Sequence, residues 1–458
     1  MTKKLSYQQL KDIDREKIIH PQSVPKQNAD EGPSMIYSKG DGIRVTDMDG
    51  GTYIDGVSML WNVNLGHGQS ELATAAYEQM NEFAYGSQFY GNSNEPAIRL
   101  ADKITEYAPG DLDGVFFTSG GSESNDTAFK LSRFYWQLQG FESKKIIISL
   151  KRGYHGVTVS AQRATGIEAF REFSGSGDPH IINAKAHLTA AEQGDRTSSD
   201  FEKSIRGLIE QEGADNVAAV ILEPVQGAGG VHLPPDGYLQ AVRNLCDEQN
   251  VLMIADEVIC GFGRTGKNFA VEHWNVTPDM ISFAKGVTSG YFPLGGVIMR
   301  AKVKEAIAQY DQMLAHGFTY SGHPTGCAVA LKNLEIIERE GIVDHVTEME
   351  KELQKGLHTL QEKHKCMTKS RAIGLLAGFD LMKDPEADQL FENDVKAAET
   401  FVKACRERNL ILRKFDFEDG MNTVAIAPPL IITKKEIQEL IDILDDALTA
   451  VHKKWENA

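Results

Sequence analysis

Between residues 71 and 325, helical patterns alternate with short apolar runs, and this alternation is what most constrains the fold. Apolar residues recur at helical spacing over 71–83, 97–107, 123–138, 201–211 and 238–249. Apolar runs short enough for buried strands lie at 115–118, 146–150, 217–225, 251–258, 280–284 and 296–299. A chain that repeats strand, helix and strand in this way builds a mainly parallel sheet with helices on both faces. We therefore predict an α/β fold.

The two ends of the chain have different patterns. Residues 1–70 are polar and turn-rich, and alternating residues on both sides of Asp49-Gly50-Gly51 predict a hairpin within 42–55. After about residue 330, predicted helices at 328–340, 344–364, 395–408 and 435–454 flank predicted strands at 372–381 and within 411–432.

This change of pattern, together with the chain length, predicts more than one domain. A single core stops growing near about 250 to 300 residues, and the chain has 458. We predict a large domain at 71–325 and a smaller α+β domain at 326–458. Residues 1–70, before the large domain, are predicted to join the small domain.

An acidic and a basic residue each close an apolar run in the large domain. Asp256 follows 251–255 and Lys285 follows 280–284, so both should lie just beyond strand C-termini, where open α/β sheets form their ligand crevice. A carboxylate and an amine on neighbouring strands match pyridoxal phosphate, which needs an amine for a Schiff base and an anion beside its pyridine nitrogen. A salt bridge at the edge of the core is the alternative explanation.

A glycine- and serine-rich turn follows the predicted strand at 115–118. In Ser119-Gly120-Gly121-Ser122-Glu123, small residues lead directly into a helix. Unpaired backbone N–H groups and hydroxyls therefore converge where the helix dipole favours an anion, which predicts a phosphate site. Ser122 acting only as the helix N-cap is the alternative.

A third group of residues, Gly153-Tyr154-His155-Gly156, follows the predicted strand at 146–150. An aromatic ring between glycines is suited to stack on a flat heteroaromatic cofactor, and Tyr154 is the candidate. For His155 we expect a supporting role, because a histidine in a turn is more often hydrogen-bonded to backbone than a catalytic base. Val258 should project to the same side as Asp256 and cover the other ring face; an ordinary core valine is the alternative.

Composition argues against several classes of partner. Sixty-five acidic against 48 basic residues give a net charge of −17, which argues against nucleic acid and anionic membranes. No apolar run approaches the about 18 residues of a membrane span, and the polar start has no secretory signal pattern, so we expect a cytoplasmic protein. Five cysteines without Cys-x-x-Cys spacing predict neither a disulfide framework nor a metal site.

The motifs together resemble those of the class III aminotransferases, fold-type I pyridoxal phosphate enzymes that include ω-amino acid and amine:pyruvate transaminases. The resemblance rests on residues 119–125, 154–156, 223–227, 256–266, 283–286, 316–324 and 428–432, which follow the family's order over nearly the whole chain. It implies the family's fold, a large domain on a mainly parallel sheet plus a smaller α+β domain. It also implies pyridoxal 5'-phosphate as cofactor.

The resemblance assigns roles to the cofactor residues. Lys285 and Asp256 are implied to be catalytic, because Lys285 would form the Schiff base and Asp256 would pair with the ring nitrogen. The other implied cofactor-binding residues are Gly121 and Ser122 at the phosphate, Tyr154 and Val258 on the ring faces, Glu223, and Thr319. Thr319 is implied to contact the phosphate of the neighbouring subunit, so a homodimer with shared active sites is expected, and a tetramer is left open.

A substrate pocket is implied in the same way. Trp61 and Tyr154 are expected to line it. Arg413 resembles the mobile arginine that binds the carboxylate of the keto acid acceptor, a role suited to the planar guanidinium fork. A surface arginine paired with Asp416 or Glu418 is the alternative for this position.

At two positions the sequence differs from other members of the family, and these differences narrow the range of expected substrates. Ile259 stands where aminobutyrate and ornithine aminotransferases have glutamine, and Gly120 replaces a usual serine or asparagine. With Trp61 and Asn62-Val63-Asn64, Ile259 favours pyruvate as acceptor and an amine, β-alanine or taurine as donor, in a ping-pong transamination. The alternatives are a 2-oxoglutarate-dependent relative, an aminomutase or racemase on the same scaffold, and a non-enzymatic phosphate binder.

Overall fold

The structure is a computed structural model that describes residues 5–173, 175, 177–185, 189–416 and 421–455. Within these ranges the strands form one sheet of seven and two sheets of four. Alternate residues of the seven-stranded sheet belong to two different apolar clusters, each shared with helices. The large sheet is therefore covered by helices on both faces, as the sequence pattern predicts.

The N-terminal part of the chain forms two short helices and three antiparallel strands. Its elements are α1 (Tyr7–Lys17), α2 (Pro25–Glu31), β1 (Tyr37–Asp41), β2 (Arg44–Asp47), β3 (Thr52–Asp55) and α3 (Ser58–Trp61). The predicted hairpin is confirmed, because β2 pairs antiparallel with β3. Gly50, with a φ of 90°, adopts the left-handed conformation at the turn between them. β1 precedes the predicted hairpin and pairs with β2.

The middle part of the chain carries the seven-stranded sheet and its helices. The strands are β4 (Leu112–Thr118), β5 (Ile146–Leu150), β6 (Ile181–Ala184), β7 (Val217–Leu222), β8 (Leu252–Asp256), β9 (Met280–Phe283) and β10 (Gly295–Arg300). The helices are α4 (Ser70–Glu82), α5 (Glu95–Tyr107), α6 (Gly121–Leu138), α7 (Val159–Ala164), α8 (Glu168–Arg171), α9 (Thr189–Glu192), α10 (Ile205–Glu212), α11 (Tyr238–Glu248) and α12 (Ala301–Ala308).

The large sheet has the strand order β4-β10-β9-β8-β7-β5-β6. Strands β5 to β9 pair in parallel, which confirms the predicted mainly parallel sheet, whereas β10 is antiparallel to both β4 and β9. The link between Phe283 and Gly295 contains a short 3-10 helix, Lys285–Thr288. Such a link lacks the long crossover helix that a parallel return usually uses, so the chain turns back antiparallel.

Three details of this part differ from the predicted elements. β6 has only four residues and lies at the sheet edge, and its short pattern does not predict a strand. The helix predicted over 201–211 is split, because the Ser204 hydroxyl accepts from the Gly207 N–H at 2.9 Å and begins a new helix, α10. The strand predicted over 217–225 ends at Leu222, since Pro224 has no N–H to donate to a sheet.

The C-terminal part contains long helices and a second four-stranded sheet. Its elements are α13 (Pro324–Arg339), α14 (Ile342–Lys363), β11 (Met367–Ile373), β12 (Leu376–Leu381), α15 (Ala397–Arg406), β13 (Leu410–Ile411), β14 (Arg413–Asp416), β15 (Asn422–Ile426) and α16 (Lys434–Trp455). Further 3-10 helices lie at Phe89–Gly91, Phe201–Lys203, Ala214–Asn216, Ala270–Trp274 and Asn393–Val395. β11, β12, β15 and β14 form the second antiparallel sheet.

The two ends of the chain meet in the remaining sheet. β13 pairs parallel with β3, which gives the order β1-β2-β3-β13. This pairing is what we expect if residues 1–70 join the predicted small domain. Helix α13 packs against α4 and α5 of the middle part. The domain boundaries at 70 and 325 stay a prediction.

A fully buried arginine connects the middle part to both ends of the chain. Nη1 of Arg264 donates to the carbonyls of Leu375 and Pro428 at 3.0 and 2.6 Å. Its Nη2 donates to Oγ of Ser58 and Oδ1 of Asn64, each at 3.0 Å. Burial lowers the pKa of Arg264 to about 9, which leaves the guanidinium charged at neutral pH. Four hydrogen bonds from a charged donor compensate much of the cost of burying it.

We expect Arg264→Met to lower the free energy of unfolding by about 3 kcal/mol or more, because buried carbonyls lose their donors. The midpoint of urea unfolding measures this change. Arg339→Met is the control, since Arg339 makes an exposed ion pair with Glu71 and should change the midpoint little. Equal midpoints for the two variants would contradict the role given to Arg264.

Candidate active site

The ends of strands β8 and β9 bring the two predicted catalytic residues to one edge of the large sheet. β8 ends at Asp256, the neighbouring parallel strand β9 ends at Phe283, and Lys285 begins the 3-10 helix that follows. A cavity of about 140 Å³ opens at this edge, and both residues line it. Its full lining is Gly121, Ser122, Asn125, Tyr154, His155, Gly156, Glu223, Asp256, Val258, Ile259 and Lys285. The three groups of residues singled out in the sequence therefore meet at one site.

The Asp256 carboxylate is buried and held by three donors. Its Oδ2 accepts from Nδ2 of Asn125 at 2.7 Å and lies 2.8 Å from Nδ1 of His155. Its Oδ1 accepts from the backbone N–H of Val258 at 3.1 Å. This network fixes the orientation of the carboxylate at the cavity wall.

The sequence patterns do not predict that Asn125 and the His155 ring contact the Asp256 carboxylate. The expectation that His155 bonds chiefly to backbone is wrong for its side chain, which contacts the Asp256 carboxylate instead. Asn125 lies in α6, four residues after Gly121, and residues four apart share a helix face. That spacing is the signal from which its position at the cavity could have been predicted.

Lys285 lies where burial favours its neutral amine. Burial lowers the pKa of Lys285 to about 8, the carboxylates of Asp256 and Glu223 oppose this shift, and the Arg413 charge adds to it. Within the described ranges, Lys285 makes no ion pair, which argues against the salt-bridge explanation of the Asp256 and Lys285 pair. A neutral amine is the form that attacks an aldehyde.

Glu223 is buried beside this pair and orients the turn that carries Tyr154. Its Oε1 accepts from the backbone N–H of Tyr154 at 2.8 Å, and its Oε2 accepts from that of Gly227 at 2.9 Å. Burial raises the pKa of Glu223 to about 7; proximity to His155 opposes this shift and the Asp256 charge adds to it. Contact between Glu223 and a cofactor stays a prediction.

The predicted phosphate turn begins helix α6. The N-cap is Gly120, so the alternative that Ser122 is the N-cap is wrong. The Ser122 hydroxyl instead accepts from the backbone N–H of Val157 at 3.1 Å. A Cβ on Gly121 would lie 2.9 Å from Cγ1 of Val258, and one on Gly156 would lie 2.4 Å from Oγ of Ser122. The turn is thus packed so closely against its neighbours that glycine is required at both places.

Tyr154 and Val258 both line the cavity, as expected for residues that cover the two faces of a ring. The Tyr154 ring is held edge-to-face by Phe170, with ring centres 5.3 Å apart. Their contact with a cofactor stays a prediction.

A second cavity of about 300 Å³ adjoins the first and contains the predicted substrate residues. Tyr154, Ile259 and Lys285 line both cavities. The other lining residues of the second cavity are Gln22, Leu60, Trp61, Ile167, Ala169, Phe170, Ala228, Arg413, Lys414 and Phe415. Lys285 therefore lies at the junction of the two spaces.

Arg413 lies against two aromatic rings of the second cavity. Its guanidinium carbon is 4.8 Å from the centre of the Trp61 ring and 5.7 Å from that of Phe415, and these two rings are stacked. Its Nη2 donates to Oε1 of Gln22 at 3.0 Å. The alternative pairing with Asp416 or Glu418 involves side chains outside the described residues. Gln22, Phe170 and Phe415 are residues of this cavity that the sequence reasoning does not identify.

Thr319 lies apart from both cavities of its own chain. It is exposed, and its carbonyl accepts from the Tyr85 hydroxyl at 2.7 Å. A role for Thr319 in the site of a neighbouring subunit stays a prediction.

One cavity at the sheet edge is lined by an amine, a carboxylate and a glycine-serine turn at a helix N-terminus. This combination is typical of enzymes that hold pyridoxal phosphate as a Schiff base. The chain belongs to the class III aminotransferases, because the family model described as aminotransferase class-III matches residues 26–448. The predicted family, fold class and transaminase activity are therefore confirmed.

Individual relatives match over almost their full length. The chain is 37% identical to diaminobutyrate–2-oxoglutarate transaminase of Halomonas elongata, over 97% of each protein. It is 36% identical to putrescine–pyruvate aminotransferase of Pseudomonas aeruginosa, over 96% of each. A solved transaminase from the marine bacterium Virgibacillus has a TM-score of 0.94 and 43% identity, over 97% of this chain and 99% of that chain. The relatives thus include both pyruvate-using and 2-oxoglutarate-using enzymes.

The predicted cofactor is confirmed by the family. Class III aminotransferases use pyridoxal phosphate, and the ω-transaminase of Pseudomonas jessenii, with a TM-score of 0.91 and 33% identity over 98% of this chain and 99% of that chain, was solved in complex with PMP. The residues present fit this group, since an oriented buried carboxylate, a lysine and a glycine-lined helix N-terminus share one cavity. Among the described helices, none is long and apolar enough to cross a membrane.

We expect the apoenzyme to incorporate pyridoxal phosphate at Lys285 faster as the pH rises, with the rate levelling off above about pH 8, because the pKa of Lys285 is lowered to about 8. Borohydride trapping followed by mass spectrometry of the Lys285 peptide measures the rate. In Glu223→Gln the curve should shift to lower pH, since the Glu223 carboxylate raises the pKa of Lys285. A wild-type rate that still rises steeply at pH 10 would contradict this assignment.

Proposed function

We propose that this aminotransferase moves an amino group from an amine or ω-amino acid to pyruvate by a ping-pong reaction. The observation that carries the proposal is the position of Lys285, which lies at the junction of the first cavity, lined by Asp256, and the second cavity, lined by Arg413. The similarity to putrescine–pyruvate aminotransferase supports pyruvate as acceptor.

The residues of the first cavity would share the chemical work. Pyridoxal phosphate, when bound, supplies a ring that accepts the electron pair left at the substrate carbon. Asp256, oriented by Asn125 and His155, would keep the ring nitrogen protonated. Lys285 would take the proton from the substrate carbon and return it as general base and acid, for which a pKa of about 8 is well suited.

The remaining residues of this cavity would hold and orient the cofactor. The backbone N–H groups at Gly121 and Ser122 would bind the phosphate at the start of α6, where the helix dipole favours negative charge. Tyr154 and Val258 would contact opposite faces of the cofactor ring and so fix its orientation. Glu223 would fix the Tyr154 turn through its hydrogen bond to that residue's backbone.

Arg413 would bind the carboxylate of the acceptor. The side chains that contact its guanidinium, those of Gln22, Trp61 and Phe415, are all neutral, so they do not cancel its charge. The nearby Lys414 lies 3.4 Å from the Glu399 carboxylate, which offsets its charge. Among the described residues, Arg413 is thus a cation with only neutral contacts, and one such cation suits an acceptor with one carboxylate, such as pyruvate, better than the dicarboxylate 2-oxoglutarate.

The donor class follows from the apolar part of the second cavity. Trp61, Phe170 and Phe415, together with Leu60 and Ile167, offer a mainly hydrophobic wall beside a single arginine. Such a wall suits the body of an amine, while the arginine suits the acidic end of β-alanine or taurine. A 2-oxoglutarate-dependent reaction is the second candidate, supported by the similarity to diaminobutyrate–2-oxoglutarate transaminase.

We infer in addition that two copies form a dimer with shared active sites. Large apolar side chains are exposed at Phe83, Tyr85, Tyr90, Ile98, Met313 and Tyr320. Three of them, Tyr90, Ile98 and Met313, line one open groove. Tyr85 contacts Tyr320 with ring centres 6.2 Å apart, so these segments adjoin, and Thr319 lies among them. An exposed apolar face of this kind is typical of a subunit interface.

We expect a panel of taurine, β-alanine, putrescine and 1-phenylethylamine to yield alanine from pyruvate with at least one donor. Lys285→Ala should lower turnover about 10⁴-fold or more, since the Schiff-base amine and the general base are both lost. Lys403→Ala, at an exposed lysine of α15, is the control and should keep full activity. Faster turnover with 2-oxoglutarate than with pyruvate for every donor would favour the second candidate.

We expect light scattering to give the mass of a dimer, and Thr319→Ala to weaken pyridoxal phosphate binding about tenfold without changing that mass. One hydrogen bond to a charged group accounts for an effect of this size, about 1.5 kcal/mol. Thr319→Ser keeps the hydroxyl and should restore binding. A fully active monomer would contradict the shared site.

A further inference from the structure

Gln22 connects the N-terminal segment, residues 5–31, to the substrate cavity. It lies in the turn between α1 and α2 with a φ of 50°, and its side chain lines the second cavity. Its Oε1 accepts from Nη2 of Arg413 at 3.0 Å. The residue is also exposed, so it lies at the boundary between the cavity and solvent.

Little apolar burial holds this segment in place. Neither α1 nor α2, both described along their full length, contains a buried residue. Ile13, Ile18, Ile19 and Val24 of the same segment are exposed, Ile19 by 89%. A segment with so few buried contacts opens at low cost, so a hydrogen bond to a charged arginine contributes much of what keeps it closed.

The contact between Gln22 and Arg413 is one that a substrate carboxylate would displace. The Gln22 amide oxygen is a neutral acceptor and takes a single N–H of the guanidinium. A carboxylate is charged and takes two N–H groups of the same fork, so it binds more strongly. The Trp61 and Phe415 rings meanwhile keep Arg413 in the cavity in either state.

We propose that Gln22 is a positioning residue that competes with the acceptor carboxylate for Arg413. With no carboxylate present, Gln22 holds Arg413 and the N-terminal segment stays closed. When a carboxylate binds, Gln22 is released and the turn at 18–24 loosens. This proposal rests on the proposed function only in taking Arg413 as the carboxylate-binding group, and it explains how one pocket accepts both a carboxylate and an uncharged amine tail.

Kinetics with two opposite substitutions test the competition. Gln22→Glu places a permanent carboxylate beside Arg413 and should raise the KM for pyruvate about tenfold or more, with the KM for 1-phenylethylamine nearly unchanged. Gln22→Leu removes the competitor and should lower the KM for pyruvate about two- to fivefold. Gln8→Glu makes the same charge change elsewhere in the segment, where the side chain contacts Asp12 rather than Arg413, and should have no such effect. In an Arg413→Ala background, the two Gln22 variants should no longer differ.

Hydrogen exchange gives a readout independent of turnover. In the enzyme loaded with pyridoxal phosphate, saturating propionate should increase amide exchange over residues 18–24 several-fold. Gln22→Leu and Arg413→Ala should exchange rapidly with or without propionate, and Gln22→Glu slowly in both states.

Two results would overturn the proposal: exchange over 18–24 that does not respond to propionate, or a KM for pyruvate within twofold of wild type in Gln22→Glu. Absence of transamination with every donor and acceptor would instead contradict the proposed function. The propionate experiment would still decide the role of Gln22 in that case.

Discussion

The buried carboxylate of Asp256 is the charge on which the rest of the site depends. A buried anion is costly unless donors surround it. Asn125 from α6, His155 from the turn after β5, and the backbone N–H of Val258 supply those donors. Three separate segments are thereby drawn to one carboxylate, and each of them also carries a residue of the cofactor cavity. The network that stabilises the charge is thus also what assembles the site.

Lys285 gains its chemistry from the same arrangement. The parallel pairing of β8 and β9 brings it to the edge where Asp256 lies, and burial lowers its pKa to about 8. Because it lies between two cavities, a single amine faces both the cofactor space and the substrate space. The second cavity is closed by elements from both ends of the chain, Gln22 from the N-terminal segment and Arg413 from β14. The pairing of β13 with β3 holds those ends together.

Much of the fold follows from local patterns. The period of apolar residues predicts the helices and strands of the large sheet, and the turn residues around Gly50 predict the β2–β3 hairpin. The departures have local physical causes that periodicity does not report: Ser204 starts a new helix, Pro224 ends a strand, and the short link after β9 forces β10 to run antiparallel. By residue type, Ser122 is a good N-cap candidate, yet the N-cap is Gly120, two residues earlier, and the Ser122 hydroxyl accepts from the backbone N–H of Val157.

The sequence by itself determined the positions of Asp256, Lys285 and the Gly121–Ser122 turn, since each directly follows a strand and strand ends can be predicted from short-range patterns. Only the tertiary structure decided which side chains hold them. Asn125 and His155 lie 131 and 101 positions from Asp256, and Gln22 lies 391 positions from Arg413. The spacing of Asn125 from Gly121 indicates its helix face, but no local pattern identifies Asp256 as its partner. Contacts at such separations depend on how whole sheets and segments pack.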